Sequence, residues 1–151
     1  MSMDAVITKF NKKFNIPKQR HKYLNYIREC IDKNILSQYR EDEFYTEERV
    51  VNKIIRINIK DIIGDIYCEE SASIINKNVI LKSIEDIKDL IKDIENKPLI
   101  NGWKQSSFDR YKFYYFGENI ENVLYKTIEE LVTVVLNMNE DKYDYLYHVT
   151  Y

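Results

Sequence analysis

The sequence predicts an α+β fold, and three observations carry that prediction. Apolar residues recur at helical spacing over several long stretches, as in Leu24, Ile27, Ile31 and Ile35, and again in Ile84, Ile87, Leu90, Ile91 and Ile94. Aromatic-dense and alternating stretches lie near the C-terminus, at 111–116 and 143–149. Between these, residues 108–138 run through strand, turn, strand, cap and helix signals in succession. The expected architecture is a group of about three or four N-terminal helices packed on a small antiparallel C-terminal sheet, with a hairpin-then-helix unit. The chain of 151 residues reads as one domain, 1–151, long enough to bury a substantial core.

Taken in order, residues 3–14 fit a short amphipathic helix with Val6, Ile7, Phe10 and Phe14 on one side. Asn15-Ile16-Pro17 breaks it, and Pro17 suits the first position of a second helix, 17–36. A polar connection follows over 37–44. Thr46-Glu47-Glu48 fits an N-cap with acids in the first turn, and Val51, Ile54, Ile55, Ile59, Ile62 and Ile66 continue as a helix closed near Gly64. Ile55, Ile57 and Ile59 also alternate with polar residues, which is the competing strand pattern. Residues 64–73 read as a loop and 74–81 as a short strand or irregular segment. Ser83-Ile84-Glu85-Asp86 matches a capping pattern for the next helix, whose outer face carries Lys88 and Lys92 among acids. Lys97-Pro98 ends it, and 98–107 connects onward with the only tryptophan, Trp103.

Residues 111–116 then form an expected strand, Gly117-Glu118-Asn119 a turn and 122–125 a return strand. Thr127-Ile128-Glu129-Glu130 matches a capping box for a helix carrying Ile128, Leu131, Val132, Val135 and Leu136. Continuation of the sheet through 132–135 is the alternative. The tail alternates Tyr143, Tyr145, Tyr147 and Val149 with Asp144, Leu146 and His148, a last strand expected to pair with the hairpin.

Composition narrows the functional classes. With 44% hydrophobic and 32% charged residues the chain is a folded globular protein, and 3 glycines leave little room for phosphate-cradling loops. No apolar run approaches the roughly 20 residues a membrane span needs, so no membrane association is expected. No signal-peptide core precedes the first lysines, and Cys30 and Cys68 form no CxxC pair, so a reduced, cytoplasmic setting is expected. Abundant Ile, Lys, Asn, Asp and Tyr is the codon signature of an AT-rich genome, such as that of a low-GC bacterium, its phage or a large DNA virus.

No residue set points to catalysis, a metal or a cofactor. His21 and His148 stand singly, without the ligand spacings metals require. Cys30 and His21 lie nine residues apart on one expected helix, more than two turns, too far for a nucleophile and its base. The acids in 41–43, 69–70 and 140–141 read as caps and solvated faces. The expected function is therefore non-enzymatic.

Charge is unevenly distributed. Residues 1–40 hold nine Lys/Arg against three acids, a net of +6, and the rest holds 14 against 22, a net of -8. From Glu118 onward seven acids face two lysines in a tyrosine-rich stretch. Tyrosine suits interfaces, and acids suit a basic partner. The first reading is an immunity- or inhibitor-type protein that neutralises a basic partner such as a toxin or nuclease. Glu118, Glu121 and Asp144 would mimic nucleic-acid phosphates while Tyr143, Tyr145 and Tyr147 fill the partner's cleft. The alternative is a nucleic-acid-associated regulator using Lys18, Arg20, Lys22 and Arg28 on the basic helix. A third is a viral or phage protein that subverts a host protein. Exposed tyrosines would serve a homodimer equally well.

Overall fold

The computed structural model describes residues 4–11, 25, 42–64 and 72–150. Among them are three α-helices and a four-stranded antiparallel sheet, so the fold is α+β. The elements are β1 (Asp4–Asn11), β2 (Asp42–Thr46), α1 (Arg49–Ile62), β3 (Ser73–Ile75), α2 (Lys77–Glu95), β4 (Lys104–Gln105), a 3-10 turn (Asp109–Tyr111), β5 (Tyr115–Phe116), α3 (Ile120–Asn137) and β6 (Tyr143–Thr150). Of the expected helix 17–36 only residue 25 is among the described residues, and it is helical. No described helix is long and apolar enough to cross a membrane.

The sheet joins both ends of the chain. Its order is β2-β1-β6-β3, and β1 pairs with β6 along eight residues, from Asp4 opposite Thr150 to Asn11 opposite Tyr143. The start of the chain is thus a strand and not the expected amphipathic helix. Ala5 and Ile7 point to one face and Val6 and Thr8 to the other, and all four are buried. A strand covered on both faces loses the polar–apolar alternation that marks strands in a sequence. Residues 42–46, expected as the end of a polar connection and the start of a cap, form β2, which pairs with β1 through a register shift between Ile7 and Thr8. The tail forms the expected strand, but its partners are β1 and β3 rather than a hairpin.

Helix α1 follows its predicted stripe, burying Val50, Val51, Ile54, Ile55 and Ile59. It closes as expected at Gly64, whose φ of 127° is open to glycine alone at little cost. Thr46 accepts the Glu48 amide at 3.1 Å just ahead of the helix, and Glu48 takes the cap position without a side-chain bond. Helix α2 begins six residues before its expected cap. The Asn76 side chain accepts the Val79 amide at 3.0 Å, and Glu140 accepts the Lys77 amide at 2.6 Å. Ser83 lies buried within α2, its hydroxyl donating to the Val79 carbonyl at 2.8 Å.

The expected hairpin is likewise redrawn. Residues 122–125 belong to the first turns of α3, and Thr127 sits inside that helix, donating to the Val123 carbonyl at 2.9 Å. Ile120, Leu124, Thr127, Leu131 and Val134 form one continuous buried stripe, which makes a helix from 120 the better way to bury these side chains. Strand β5 pairs backward with β4 instead.

The core lies between one sheet face and the helices. It joins Ala5, Ile7, Phe44, Ile75, Tyr145, Tyr147 and Val149 to the inner stripes of α1, α2 and α3. Two buried polar links fix the layers. Tyr147 Oη donates to the Asn52 carbonyl at 3.4 Å, and Asn58 Nδ2 donates to Ser83 Oγ at 3.1 Å and to Asp86 Oδ2 at 2.9 Å.

Candidate functional site

Among the described residues, a concave feature borders α2. Asp93, on the outer side of α2, accepts the Ser106 hydroxyl and the Ser107 amide through one oxygen, each at 2.8 Å. Ser106 in turn accepts the Phe108 amide at 3.0 Å, and Lys97 bonds the Ser107 hydroxyl. The chain is thereby stapled to α2 and turns through the 3-10 segment, with the Tyr111 amide donating to the Phe108 carbonyl at 3.0 Å. Phe108 and Tyr111 meet edge to face at 6.3 Å and 78°. Between them and α2 opens a cleft of about 350 Å³ lined by Asp86, Asp89, Phe108, Asp109, Arg110 and Tyr111.

The cleft combines an aromatic floor with an acidic rim. Asp86 is engaged by Asn58 and by Lys82, whose ammonium donates at 2.7 Å and is held more basic than usual by that bond. Burial raises the Tyr111 phenol above its ordinary value, and the nearby negative charge of Asp86 adds to the rise. Asp89 and Asp109 are solvent-exposed. With Asp86 paired to Lys82, the exposed carboxylates of Asp89 and Asp109 stand beside one guanidinium over two rings, which suits a cationic side chain that lies flat on an aromatic face.

The neighbouring hairpin displays apolar surface. Asn101 and Gly102 both have positive φ, 53° and 85°, and Ile100 and Trp103 exchange backbone bonds of 2.8 and 3.0 Å across them. This is a two-residue turn that needs left-handed backbone at both central positions. Opposed residues share a face of a two-stranded ribbon. Lys104 and Phe116 point inward, whereas Trp103, 52% exposed, and Tyr115, 65% exposed, point out beside Ile100. Gly117, opposite Trp103, leaves room for the indole ring.

The tyrosine-and-acid face expected from 118 onward is not formed as predicted. Tyr145 and Tyr147 are core residues and Asp144 is buried, because β6 is an inner strand with neighbours on both sides. Tyr145 Oη accepts the Asn139 amide at 2.9 Å. Tyr143 is half-buried, with Lys9 and Lys142 over its ring at 4.9 and 5.2 Å. Glu121 is paired with Lys104, which leaves Glu118 as the exposed acid of the set. Lys18, Arg20, Lys22, Arg28, His21, Cys30 and Cys68 lie outside the described residues. His148 is half-buried on β6, and no described His, Cys, Asp and Glu residues are grouped to hold a metal ion.

Two surface features were missed by the sequence reading although local signals for them exist. Asn101-Gly102 is the strongest dipeptide signal for a tight hairpin. Arg49, Lys53, Arg56 and Lys60 stand at i, i+4, i+7 and i+11, so one face of α1 is uniformly basic. Comparison with protein-family models, with curated proteins and with solved structures finds no match to this chain.

Proposed function

We propose that the chain is a non-enzymatic protein-binding protein of the immunity or inhibitor type, which occludes a partner with a basic surface in the cytoplasm. The observation that carries this reading is the cleft of Asp86, Asp89, Asp109, Phe108 and Tyr111 beside the exposed Ile100, Trp103 and Tyr115. A lysine or arginine of the partner enters the cleft, its charge facing the carboxylates and its stem the rings. Trp103 and Tyr115 supply the apolar contact that dominates affinity at protein interfaces. Exposed Glu118 adds to the acidic rim and to charge steering during encounter. The binding surface thus moves from β6 to the connection between α2 and α3.

The test is capture of partners from a lysate of the source organism by the tagged full chain, at low and moderate salt. Wild type is expected to retain one stoichiometric basic protein, less as salt rises. The double variant Asp89→Lys/Asp109→Lys and the single variant Trp103→Ala should each lose most of that retention. Equal capture of the same protein by all three would remove the cleft from the function, and an empty eluate would remove the inhibitor reading.

A further inference from the structure

Helix α1 carries a second surface of opposite charge. Arg49, Lys53, Arg56 and Lys60 form a line of four cations spanning about 16.5 Å at 1.5 Å rise per residue. Among the described lysines Lys9, Lys82, Lys88, Lys97, Lys104 and Lys126 stand within 4.0 Å of a carboxylate, and Lys77, Lys92, Lys112 and Lys142 are scattered singly outside α1 without such a pair. No ion pair to a carboxylate among the described residues engages the four on α1. The Arg56 Nε is buried and has no hydrogen-bond acceptor among the described residues, and a buried donor without an acceptor is costly. At its edge the line meets aromatics. Lys53 Nζ lies 5.7 Å from the Tyr114 ring centroid, and the next residue back, Phe113, is 80% exposed with Lys112 Nζ 5.3 Å from its ring.

We propose that this face of α1 binds single-stranded nucleic acid, with phosphates along Arg49, Lys53, Arg56 and Lys60 and a base stacked on Phe113. Successive cations stand about 4.5–6 Å apart along the axis at 1.5 Å rise per residue, so a strand lying along the helix can set one phosphate against each. Sequence-tolerant single-strand binding combines such a cationic track with aromatic stacking platforms. An anionic membrane surface fits less well, because interfacial helices insert an apolar face, and that of α1 is spent on the core through Val50, Val51, Ile54, Ile55 and Ile59. The inference stands independently of the protein-partner reading above.

The experiment is fluorescence anisotropy of a labelled mixed-sequence single-stranded oligonucleotide, DNA and RNA in turn, titrated with the full chain between 50 and 200 mM salt. With four phosphate contacts the log–log salt slope should be about -2.8, a loss of about 50-fold across that range. Arg49→Glu/Lys60→Glu, at two exposed positions, should lower affinity at least tenfold and flatten the slope. Phe113→Ala should lower affinity about fivefold or more while leaving the slope unchanged. Lys88→Glu/Lys92→Glu on α2 is the charge-matched control and should bind like wild type, with thermal unfolding showing that each variant is folded. No binding at 50 mM salt would overturn the proposal. So would equal loss in the α2 control, or equal binding of polyglutamate or of phosphatidylserine vesicles.

Discussion

The Lys104 ammonium and the Glu121 carboxylate form an ion pair that ties β4 to the first turn of α3, with side chains only 12 and 19% exposed. Burial by itself would raise the Glu121 carboxyl. The hydrogen bond from Lys104, a bond from its own backbone amide and the Lys104 charge outweigh that and hold it below the ordinary carboxylate value of 4.5. Its place in the first turn adds the favourable end of the helix dipole. This contact anchors the hairpin that displays Trp103.

Breaking the pair should therefore cost stability in a pH-dependent way. Glu121→Gln is expected to destabilise by about 1–2 kcal/mol in urea unfolding. Because the folded-state value is depressed, the carboxylate's contribution is complete above about pH 4.5 and is lost as pH falls through the folded-state value. The difference between wild type and variant should be flat at neutral pH and close only in acid. A difference that persists unchanged into acid would show that the charge is not responsible.

Asn58 binds α1 to α2 through two acceptors and is almost fully buried. Asn58→Ala is expected to cost about 2–3 kcal/mol, since Asp86 is left with Lys82 as its remaining hydrogen-bond donor and a void opens between the helices. Ser83→Ala should cost about 1 kcal/mol, and the double variant less than the sum, because both residues belong to one network. Additive losses in chemical denaturation would contradict the network.

The two sides of α3 should respond very differently. Leu131 is completely buried, and Leu131→Ala is expected to cost about 3–4 kcal/mol. Leu136 is 78% exposed, and Leu136→Ala should fall within about 0.5 kcal/mol of wild type. Similar losses at both positions would point to a strand through 132–135.

The turn at Gly102 offers a purely conformational test. An added Cβ there meets nothing within 4 Å, so the cost of Gly102→Ala comes from its φ of 85° alone. We expect a loss of about 1–2 kcal/mol by thermal unfolding. Partner capture should fall as well, because the turn sets the direction of Trp103. Asn101→Gly, which relieves the left-handed position, should leave both unchanged.

Much of the helical content was legible in the residues. The stripes of α1 and of the latter part of α2 appear at the right period, and the closing position of α1 at Gly64 follows from its backbone. The failures have local physical causes. Ser83 and Thr127 resemble caps, but their hydroxyls bond the carbonyl four residues back, a use of Ser and Thr inside helices that looks the same in sequence. Gly117 looked like the hairpin turn, whereas Asn101-Gly102 holds the left-handed backbone. The acidic cleft was not legible, because Asp86 and Asp89 come from α2 while Asp109 and Tyr111 come from a segment folded back onto it by the Asp93 bonds.

By itself the sequence determined the α+β class, the inner faces of the helices and the strand character of the tail. These depend on residue type at a fixed local period. Only the tertiary structure decided that β6 pairs with β1 at the other end of the chain and lies between two strands. That pairing places Tyr145, Tyr147 and Asp144 inside and moves the accessible acid-and-aromatic surface to the connection after α2. Strand partners are chosen by long-range backbone bonding and by burial of both sheet faces, and neither leaves a periodic trace in the residues themselves.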